Sequence, residues 1–389
     1  MRSIRKHFLL DFIYYKGVLY PTPVNLNYMW SFGSLALFAL IIQIITGLML
    51  ALWYIPSTEV AFESVEFIMR EVNYGWFFRY LHSNGASLFF FVVYIHMGRG
   101  LYFGSYMYPR EKVWYSGMVM FVLMIATAFF GYVLPWGQMS YWAATVISSL
   151  ASTLPLIGQN LLLYIWGGIN IDQATLTRIY GLHFLLPFVL LALSGLHLLL
   201  LHEYGSNNPL GIETVDNIPF HPYYTVKDIY GIVVALFFYL IFVFYMPNIL
   251  SHSDNYIAAN PEVTPTHIVP EWYFLPFYAI LRSIPNKLGG VLLLVLALAL
   301  LFVVPLISKP IIRSGTFRPL YQHVFWLFIC TCILLGWSGG NPVSTPYYEI
   351  CQLGTCLYFS FFLILNPGCI LVENLIYDYY IEKYKAPNK

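Results

Sequence analysis

Eight long apolar stretches run through this sequence of 389 residues. A helix needs about 20 apolar residues to cross a bilayer, and the stretches are of that order. Only 10% of the residues are charged, against about 25% in soluble domains, so most of the chain cannot face water. We therefore predict an all-α, polytopic membrane protein with eight transmembrane helices. They are expected at Phe32–Tyr54, Trp76–Phe103, Val113–Leu134, Ala174–Leu201, Ile229–Pro247, Leu288–Ile307, Tyr321–Trp337 and Leu353–Tyr377.

The basic residues predict how these helices are oriented. With eight spans, both termini and three of the loops share one side of the membrane, and all but five of the 19 basic residues fall there. By the positive-inside rule, the side rich in basic residues is the inner side, where the membrane potential is negative. The opposite side is called the positive side below. Met1–Tyr15 has apolar residues at helical spacing with basic residues between them, which predicts a helix on the membrane surface. The net charge of +1, without a basic tract, gives no indication of a nucleic-acid partner.

Four histidines lie inside the predicted spans, two in the second helix and two in the fourth. His82 and His96 are 14 residues apart, as are His183 and His197. Fourteen residues make about 3.9 helical turns and rise about 21 Å, so both members of a pair face nearly the same way. Because both helices start on the same side, His82 is expected level with His183, and His96 with His197. Facing imidazoles can fill both axial positions of a haem iron, so the spacing predicts two stacked haems in a bundle of the first four helices. The five cysteines form no CxxCH motif, so we expect non-covalent b-type haems.

Glycines repeat the 14-residue spacing in the first and third helices, at Gly33, Gly47, Gly117 and Gly131. Glycine lets a flat macrocycle approach the backbone closely, and beside the histidines we favour that interpretation. Ordinary helix packing through small residues is the alternative.

Two arginines flank the histidines of the second helix. Arg79 stands one turn before His82, and Arg99 almost one turn after His96. We predict that they pair with haem propionates, although arginines at helix ends also extend to lipid headgroups.

Two connections on the positive side, Pro135–Ile171 and Asn248–Lys287, are too long for simple turns. Long ordered loops are more often functional than idle. The second contains five prolines and the apolar segment Val269–Leu281, which is expected to fold back against the membrane.

Three segments, together with the histidine quartet, resemble the cytochrome b family in order and spacing along nearly the whole chain. They are Gly131-Tyr-Val-Leu-Pro-Trp-Gly137, Phe220-His-Pro-Tyr-Tyr-Thr-Val-Lys-Asp228 and Pro270-Glu-Trp-Tyr273. The histidine spacing in the fourth helix and the unsplit chain are similar to mitochondrial and bacterial members rather than chloroplast ones.

The resemblance implies the ubiquinol-oxidising, ubiquinone-reducing subunit of respiratory complex III, a quinol–cytochrome c reductase that translocates protons. One electron of each ubiquinol goes to a Rieske iron–sulfur protein. The other passes from the low-potential haem of His82 and His183 to the high-potential haem of His96 and His197.

The family also implies a c-type haem subunit, the other complex III subunits, bound membrane lipids and a homodimeric complex. The implied location is the mitochondrial inner membrane, with both termini in the matrix. Residues 1–210 are expected to form the di-haem domain with its surface helix. Residues 211–389 are expected to form a second four-helix domain that includes the quinol-site loop 248–287.

At the quinol-oxidation site the resemblance implies Glu271 as proton acceptor. An exposed loop carboxylate is the simpler alternative. Tyr132 and Tyr278 are expected as neighbours, and Phe129, Ala143, Ile147 and Phe274 as pocket residues.

At the quinone-reduction site the resemblance implies His202 and Asp228 as proton donors, supported by Ser206 and Lys227. His202 is expected at the end of the fourth helix and Asp228 at the start of the fifth. A helix N-terminal charge is the alternative for Lys227 and Asp228.

Two positions depart from the common family pattern. Ala143 stands where many members have glycine, so its methyl group should narrow the oxidation pocket and weaken methoxyacrylate-type inhibitors. Ser31 stands where asparagine is frequent, near the reduction site.

Two other functions fit parts of the pattern. One is a di-haem membrane anchor of a dehydrogenase. Such anchors usually need only four or five helices, so the second half of the chain would have no function in this alternative. The other is a transporter with histidine proton relays, which would show no haem absorbance.

Overall fold

The structure is a computed structural model that describes residue 11, residues 14–213 and residues 216–385. The predicted surface helix Met1–Tyr15 lies almost wholly outside the described residues, and so do the last four residues of the chain. In the described part the helices are α1 (Phe32–Ala51), α2 (Ala61–Arg70), α3 (Gly75–Tyr102), α4 (Glu111–Val133), α5 (Gln138–Ser149), α6 (Gly158–Trp166), α7 (Gln173–Tyr204), α8 (Tyr223–Tyr245), α9 (Leu275–Arg282), α10 (Lys287–Ile307), α11 (Pro319–Gly339), α12 (Tyr347–Ser360) and α13 (Asn366–Lys385).

Seven helical segments are long and apolar enough to cross a bilayer: α1, α4, α7, α8, α10, α11 and the continuous segment α12–α13. Helix α3 has 28 residues, which is also sufficient, but Arg79, His82, Asn84 and His96 reduce its apolar character. Asn84 is only 5% exposed, so this polarity is turned inward. Helix α3 is the eighth span, and the prediction of an all-α, multi-span membrane protein is confirmed.

The outer faces of these helices are apolar. Leu199 on α7, Phe237 on α8 and Ile333 on α11 are 51%, 64% and 67% exposed. Apolar surface on this scale is unfavourable in water and favourable in hydrocarbon, which is why the long helices form a membrane protein.

The helices pack in a pattern that positions the histidines. Helix α1 lies along α3, and α4 lies along α7. Helix α8 packs on α1 and α3, while α9 packs on α10 and α11, and α11 on α12. The domain boundary at residue 210 remains a prediction, and by its contacts α8 lies with the first bundle.

Several predicted boundaries were wrong because hydropathy does not detect polar helical turns outside the bilayer. Helix α8 begins at Tyr223 instead of Ile229, and α12 begins at Tyr347 instead of Leu353. Both long connections also contain helices: α5 and α6 in the first, α9 in the second. Helix α9 buries Ala279 and Ile280, and the return of this segment toward the membrane stays a prediction.

A wide π-helical segment, Phe361–Leu365, leads into α13, which has Pro367 as its second residue. Proline lacks the N–H that a regular helix needs, and a wider turn accommodates its ring. A short antiparallel strand pair, β1 (Pro21–Pro23) with β2 (Asn217–Pro219), joins the segment before α1 to the segment before α8.

Candidate functional site

Two imidazole pairs face each other between α3 and α7. The ring centroids of His82 and His183 are 6.1 Å apart with planes at 89°, and those of His96 and His197 are 6.4 Å apart at 61°. Because the two pairs form in the same order along both helices, α3 and α7 run in the same direction. The structure thus brings the four predicted histidines together as two pairs at two depths.

Three of the four rings meet a hydrogen-bond acceptor at Nδ1. His82 Nδ1 lies 3.0 Å from the Thr46 hydroxyl, and His197 Nδ1 lies 2.8 Å from the Ser116 hydroxyl. His183 Nδ1 lies 2.8 Å from the carbonyl oxygen of Thr127, to which it can only donate. The carbonyl contact leaves Nε2 of His183 available as a ligand, and each hydroxyl contact does the same for His82 or His197 when the ring donates from Nδ1.

The ring of His96 has a different neighbour. Arg99 Nη2 lies 3.1 Å from His96 Nδ1, and a guanidinium can only donate. Arg99 also has a buried Nε without a hydrogen-bond partner and lies 5.4 Å from the centre of the Trp30 ring. An anionic group beside Arg99 would satisfy this cation and free His96 Nδ1.

The four glycines at the 14-residue spacing lie against the imidazoles. A Cβ atom on Gly47 would come within 3.0 Å of His82 Cε1. A Cβ on Gly131 would overlap the ring of His183. A Cβ on Gly33 would lie 3.3 Å from His96 Cε1, and a Cβ on Gly117 would lie 3.3 Å from His197 Cε1. We predicted that these glycines allow a macrocycle to approach the backbone, but in the structure it is the histidine rings that lie close to them. Each glycine therefore stands opposite one histidine, which explains why both residue types share the 14-residue spacing.

The residues present fit two haems. Two metal–nitrogen bonds of about 2 Å, with the inner halves of two imidazole rings, span about 6 Å between ring centroids. Both histidine pairs have this spacing. The glycine cradle lets each pair hold a haem, and the unpaired Nε of Arg99 adds a site for an anionic group beside the His96–His197 pair.

A large cavity, partly open to the outside, adjoins the first histidine pair. Its wall includes His82 and His183, the flanking Arg79, and also Tyr132 and Glu271. The cavity therefore joins the first histidine pair to the loop residue that the sequence predicted as proton acceptor.

The carboxyl of Glu271 lies in a weakly solvated position at this cavity. Burial raises the pKa of Glu271 to about 7, although the nearby Arg79 guanidinium acts to lower it. The hydroxyl of Tyr132 is buried without a hydrogen-bond partner. A carboxyl that titrates near neutrality, beside a free hydroxyl, can exchange protons with a bound hydroxyl compound.

The other residues predicted for the oxidation pocket do not line this cavity. Phe274 packs against Phe90 with ring centroids 5.6 Å apart, and Tyr278 donates to the carbonyl of Ile268 at 3.3 Å. The remaining three are Phe129 at the end of α4, and Ala143 and Ile147 on α5.

At the C-terminal end of α7, His202 packs against Tyr20, with ring centroids 4.1 Å apart. Ser34 donates to the Asp228 carboxylate at 2.5 Å. No described contact joins His202 to Asp228. The expectation that Asp228 opens its helix was wrong, because α8 starts five residues earlier. The helix dipole acts most strongly on groups in the first turn. The Asp228 carboxylate lies beyond that turn.

Lys227 and Ser206 lie in the same region. Lys227 Nζ donates to the carbonyl of Leu26 at 2.6 Å and lies 4.9 Å from the centre of the Tyr28 ring. Ser206 is half-buried just after α7. Ser31 is 4% exposed, and a Cβ on Gly231, one turn after Asp228, would lie 3.9 Å from it.

Sequence reasoning missed the polar partners of the site residues. Thr46 and Ser116 each directly precede one of the spaced glycines, and that adjacency was a signal that could have been used. Tyr20 and Ser34 gave no signal, because they approach His202 and Asp228 only through the tertiary fold.

Two family models match most of the chain. Residues 18–205 match "Cytochrome b/b6/petB", and residues 258–359 match "Cytochrome b(C-terminal)/b6/petD". The first covers both histidine pairs and all four spaced glycines, and the second covers Glu271.

Individual relatives cover nearly the whole chain. Cytochrome b of Chondrus crispus is 55% identical over 363 residues, which is 93% of this chain and 95% of that protein. Cytochrome b of Rickettsia prowazekii is 55% identical over 92% of this chain and 90% of that protein. Cytochrome b of Solanum tuberosum is 56% identical over 89% of this chain and 88% of that protein. A solved chain described as "Hyperthermophilic respiratory Complex III" superposes with a TM-score of 0.89 at 36% identity, over 96% of this chain and 99% of that one. Because family models and relatives agree along almost the full length, this chain belongs to the cytochrome b family.

Proposed function

We propose that this chain is the cytochrome b subunit of respiratory complex III, which oxidises ubiquinol near one membrane face and reduces ubiquinone near the other. The observation that carries the proposal is the presence of two facing imidazole pairs at two depths of one bundle. Such an arrangement supports electron transfer across a membrane, which a single pair would not.

The histidines hold two b haems, which supply reversible one-electron transfer when bound. His82 and His183 would hold the haem near the positive face, and His96 and His197 the haem near the negative face. Arg79 and Arg99 bind the propionates of the respective haems, a role supported by the unpaired Nε of Arg99. Electron movement toward the negative side works against the membrane potential by about 2.3 kcal/mol per 100 mV. The pair at the negative face therefore serves the haem of higher potential.

Glu271 accepts a proton from ubiquinol at the positive face. Near neutral pH part of this carboxyl is ionised, since its pKa is raised to about 7. The free hydroxyl of Tyr132 lies on the wall of the same cavity and can orient the substrate. Tyr278, Phe129, Ala143, Ile147 and Phe274 have supporting roles around the substrate.

His202 and Asp228 deliver protons to ubiquinone at the negative face, with Ser206 and Lys227 in support. Each of the two donors already lies against the segment that precedes or begins α1, through Tyr20 and Ser34. The reduction site is therefore bounded by the end of α7 with His202, by α8 with Asp228, and by this segment.

The chain acts within the full complex, with a Rieske iron–sulfur protein that accepts one electron, a c-type haem subunit, other complex III subunits and bound lipids, as a homodimer. We place it in the mitochondrial inner membrane with both termini in the matrix. Relatives include bacterial and eukaryotic proteins, so fractionation of the host cell is the direct test of this location.

Redox titration of the purified complex tests the proposal. We expect two b-type components in the wild-type complex, and one component after either His183→Leu or His197→Leu. His323→Leu is the matched control, because that ring is exposed at the start of α11. One component in the wild type, or none, would overturn the proposal. Reduction of both haems by quinol without transfer to a Rieske partner would instead favour a di-haem membrane anchor.

A further inference from the structure

Two hydroxyl groups have a constrained orientation beside the histidines. Thr46 Oγ1 lies 2.7 Å from the carbonyl oxygen of Ile42, and Ser116 Oγ lies 2.9 Å from that of Val113. A carbonyl oxygen has no proton to give, so the single hydroxyl proton must point toward it in each case.

Both hydroxyls consequently turn a lone pair toward an imidazole. His82 Nδ1, 3.0 Å from Thr46, and His197 Nδ1, 2.8 Å from Ser116, must then carry the ring proton and donate it. The proton is therefore on Nδ1, and the Nε2 lone pair is free in both rings.

We propose that Thr46 and Ser116 are positioning residues that hold His82 and His197 in the ligating tautomer and lower the reduction potential of the haem each one binds. This inference rests on the haem ligation proposed above. A hydrogen bond from Nδ1 makes the imidazole a stronger electron donor at Nε2, which favours the oxidised state of a bound iron.

The arrangement assigns one hydroxyl to each histidine pair. Thr46 contacts only the pair near the positive face, and Ser116 only the pair near the negative face. Each substitution should therefore affect one haem and spare the other, which a general loosening of the bundle would not do.

Potentiometric titration of the purified complex, with both haems bound, provides the test. Thr46→Val keeps the shape of the side chain and removes the acceptor, and Ser116→Ala does the same for the second site. Loss of one hydrogen bond changes an equilibrium by about threefold to tenfold. For a one-electron couple this is an upward shift of about 30 to 60 mV in the midpoint of the haem concerned.

Three controls accompany these variants. Thr46→Ser and Ser116→Thr keep the hydroxyl and should retain both midpoints. Thr127→Val should also leave both midpoints unchanged, because His183 donates to the backbone carbonyl of Thr127, whose hydroxyl binds Leu123 instead.

Two results would support the inference: an upward shift confined to the predicted haem, or loss of that haem in Thr46→Val with retention in Thr46→Ser. Unchanged midpoints with both haems present would overturn it and leave the proposed ligation intact. Equal shifts of both haems, or loss of the haem in Thr46→Ser as well, would also overturn it.

Discussion

The indole Nε1 of Trp272 donates a hydrogen bond to the hydroxyl oxygen of Ser87 across 3.0 Å. Tyr94 reinforces this link, since its hydroxyl donates to the Tyr273 carbonyl at 2.5 Å. Phe90 stacks on the Tyr273 ring with centroids 4.0 Å apart. The three anchors lie on one face of α3, the helix that carries His82. The residues that follow Glu271 are thus attached directly to the helix of the first histidine pair.

This attachment predicts an effect of Ser87→Ala on quinol oxidation. The change leaves the buried indole N–H without its acceptor and loosens the position of the neighbouring Glu271. Loss of one such bond corresponds to a rate lower by about threefold to tenfold. Steady-state quinol oxidation measures it, with the haem spectrum unchanged. Ser87→Thr keeps the hydroxyl and should restore the rate, so equal rates in Ala and Thr variants would contradict the positioning role.

The raised pKa of Glu271 predicts a pH dependence. Only the ionised carboxylate accepts a proton, so the rate of quinol oxidation should rise with pH and level off above about 7. Glu271→Gln cannot accept a proton, and we expect loss of this inflexion with a rate lower by about 10²-fold. The control is Glu262→Gln, an exposed carboxylate of the same connection, which should keep the wild-type profile. A pH profile of Glu271→Gln that still rises toward 7 would assign the titration to another group.

The glycines beside the histidines predict haem loss on substitution. Gly47→Ala places a Cβ 3.0 Å from His82 Cε1, and Gly131→Ala overlaps the His183 ring. Both should displace the ring and lower the occupancy of the haem proposed between His82 and His183, and Gly131→Ala should have the larger effect. Gly98→Ala on α3 and Gly195→Ala on α7 are matched controls, because nothing lies within 4 Å of the added atom. Haem content from difference spectra decides the matter, and full occupancy in Gly131→Ala would refute the packing argument.

The pairing of the histidines was predictable from sequence because helix geometry is nearly invariant. A spacing of 14 residues on two parallel helices leaves the imidazoles no arrangement other than two levels. Hydropathy did not indicate the partners of these rings, since Thr46 and Ser116 sit in apolar helices, and only their position directly before a spaced glycine could have pointed to them. Asp228 was misplaced for a related reason, because the first turn of α8 is polar and looks like a loop. Most of the predicted pocket residues lie away from the cavity wall, and only the tertiary fold decides their positions.

The methyl group of Ala143 predicts altered inhibitor binding at the oxidation site. Ala143 is 4% exposed, so the added volume is inside the protein. Ala143 does not line the cavity beside Glu271, so the prediction applies to an inhibitor that reaches α5: Ala143→Gly should strengthen inhibition by methoxyacrylate-type compounds several-fold. Ala144→Gly is the matched control, since Ala144 is equally buried but packs on the cluster around Val133 and Trp136. Superimposable inhibition curves for wild type and Ala143→Gly would exclude this residue as a determinant.

A buried ion pair stabilises the C-terminal half. Arg318 Nε and Glu373 Oε2 are 2.7 Å apart, with side chains 2% and 12% exposed. The second oxygen of Glu373 accepts from the Tyr321 backbone N–H at 3.1 Å, and the guanidinium lies 4.1 Å from the centre of the Tyr321 ring. Removal of one partner leaves an uncompensated charge in low dielectric, which typically costs about 3–5 kcal/mol. Glu373→Gln should therefore lower the temperature at which the purified complex loses its haem absorbance.

Two further variants separate the loss of the pair from the burial of a lone charge. Replacement of both partners by apolar residues, Arg318→Met with Glu373→Leu, should cost less than Glu373→Gln alone, because no charge remains buried. Lys112→Gln breaks an exposed contact, 4.0 Å from Glu203, and should leave the transition nearly unchanged. If the double variant is the least stable of the three, the destabilisation comes from lost packing around Tyr321, and the uncompensated charge is not its cause.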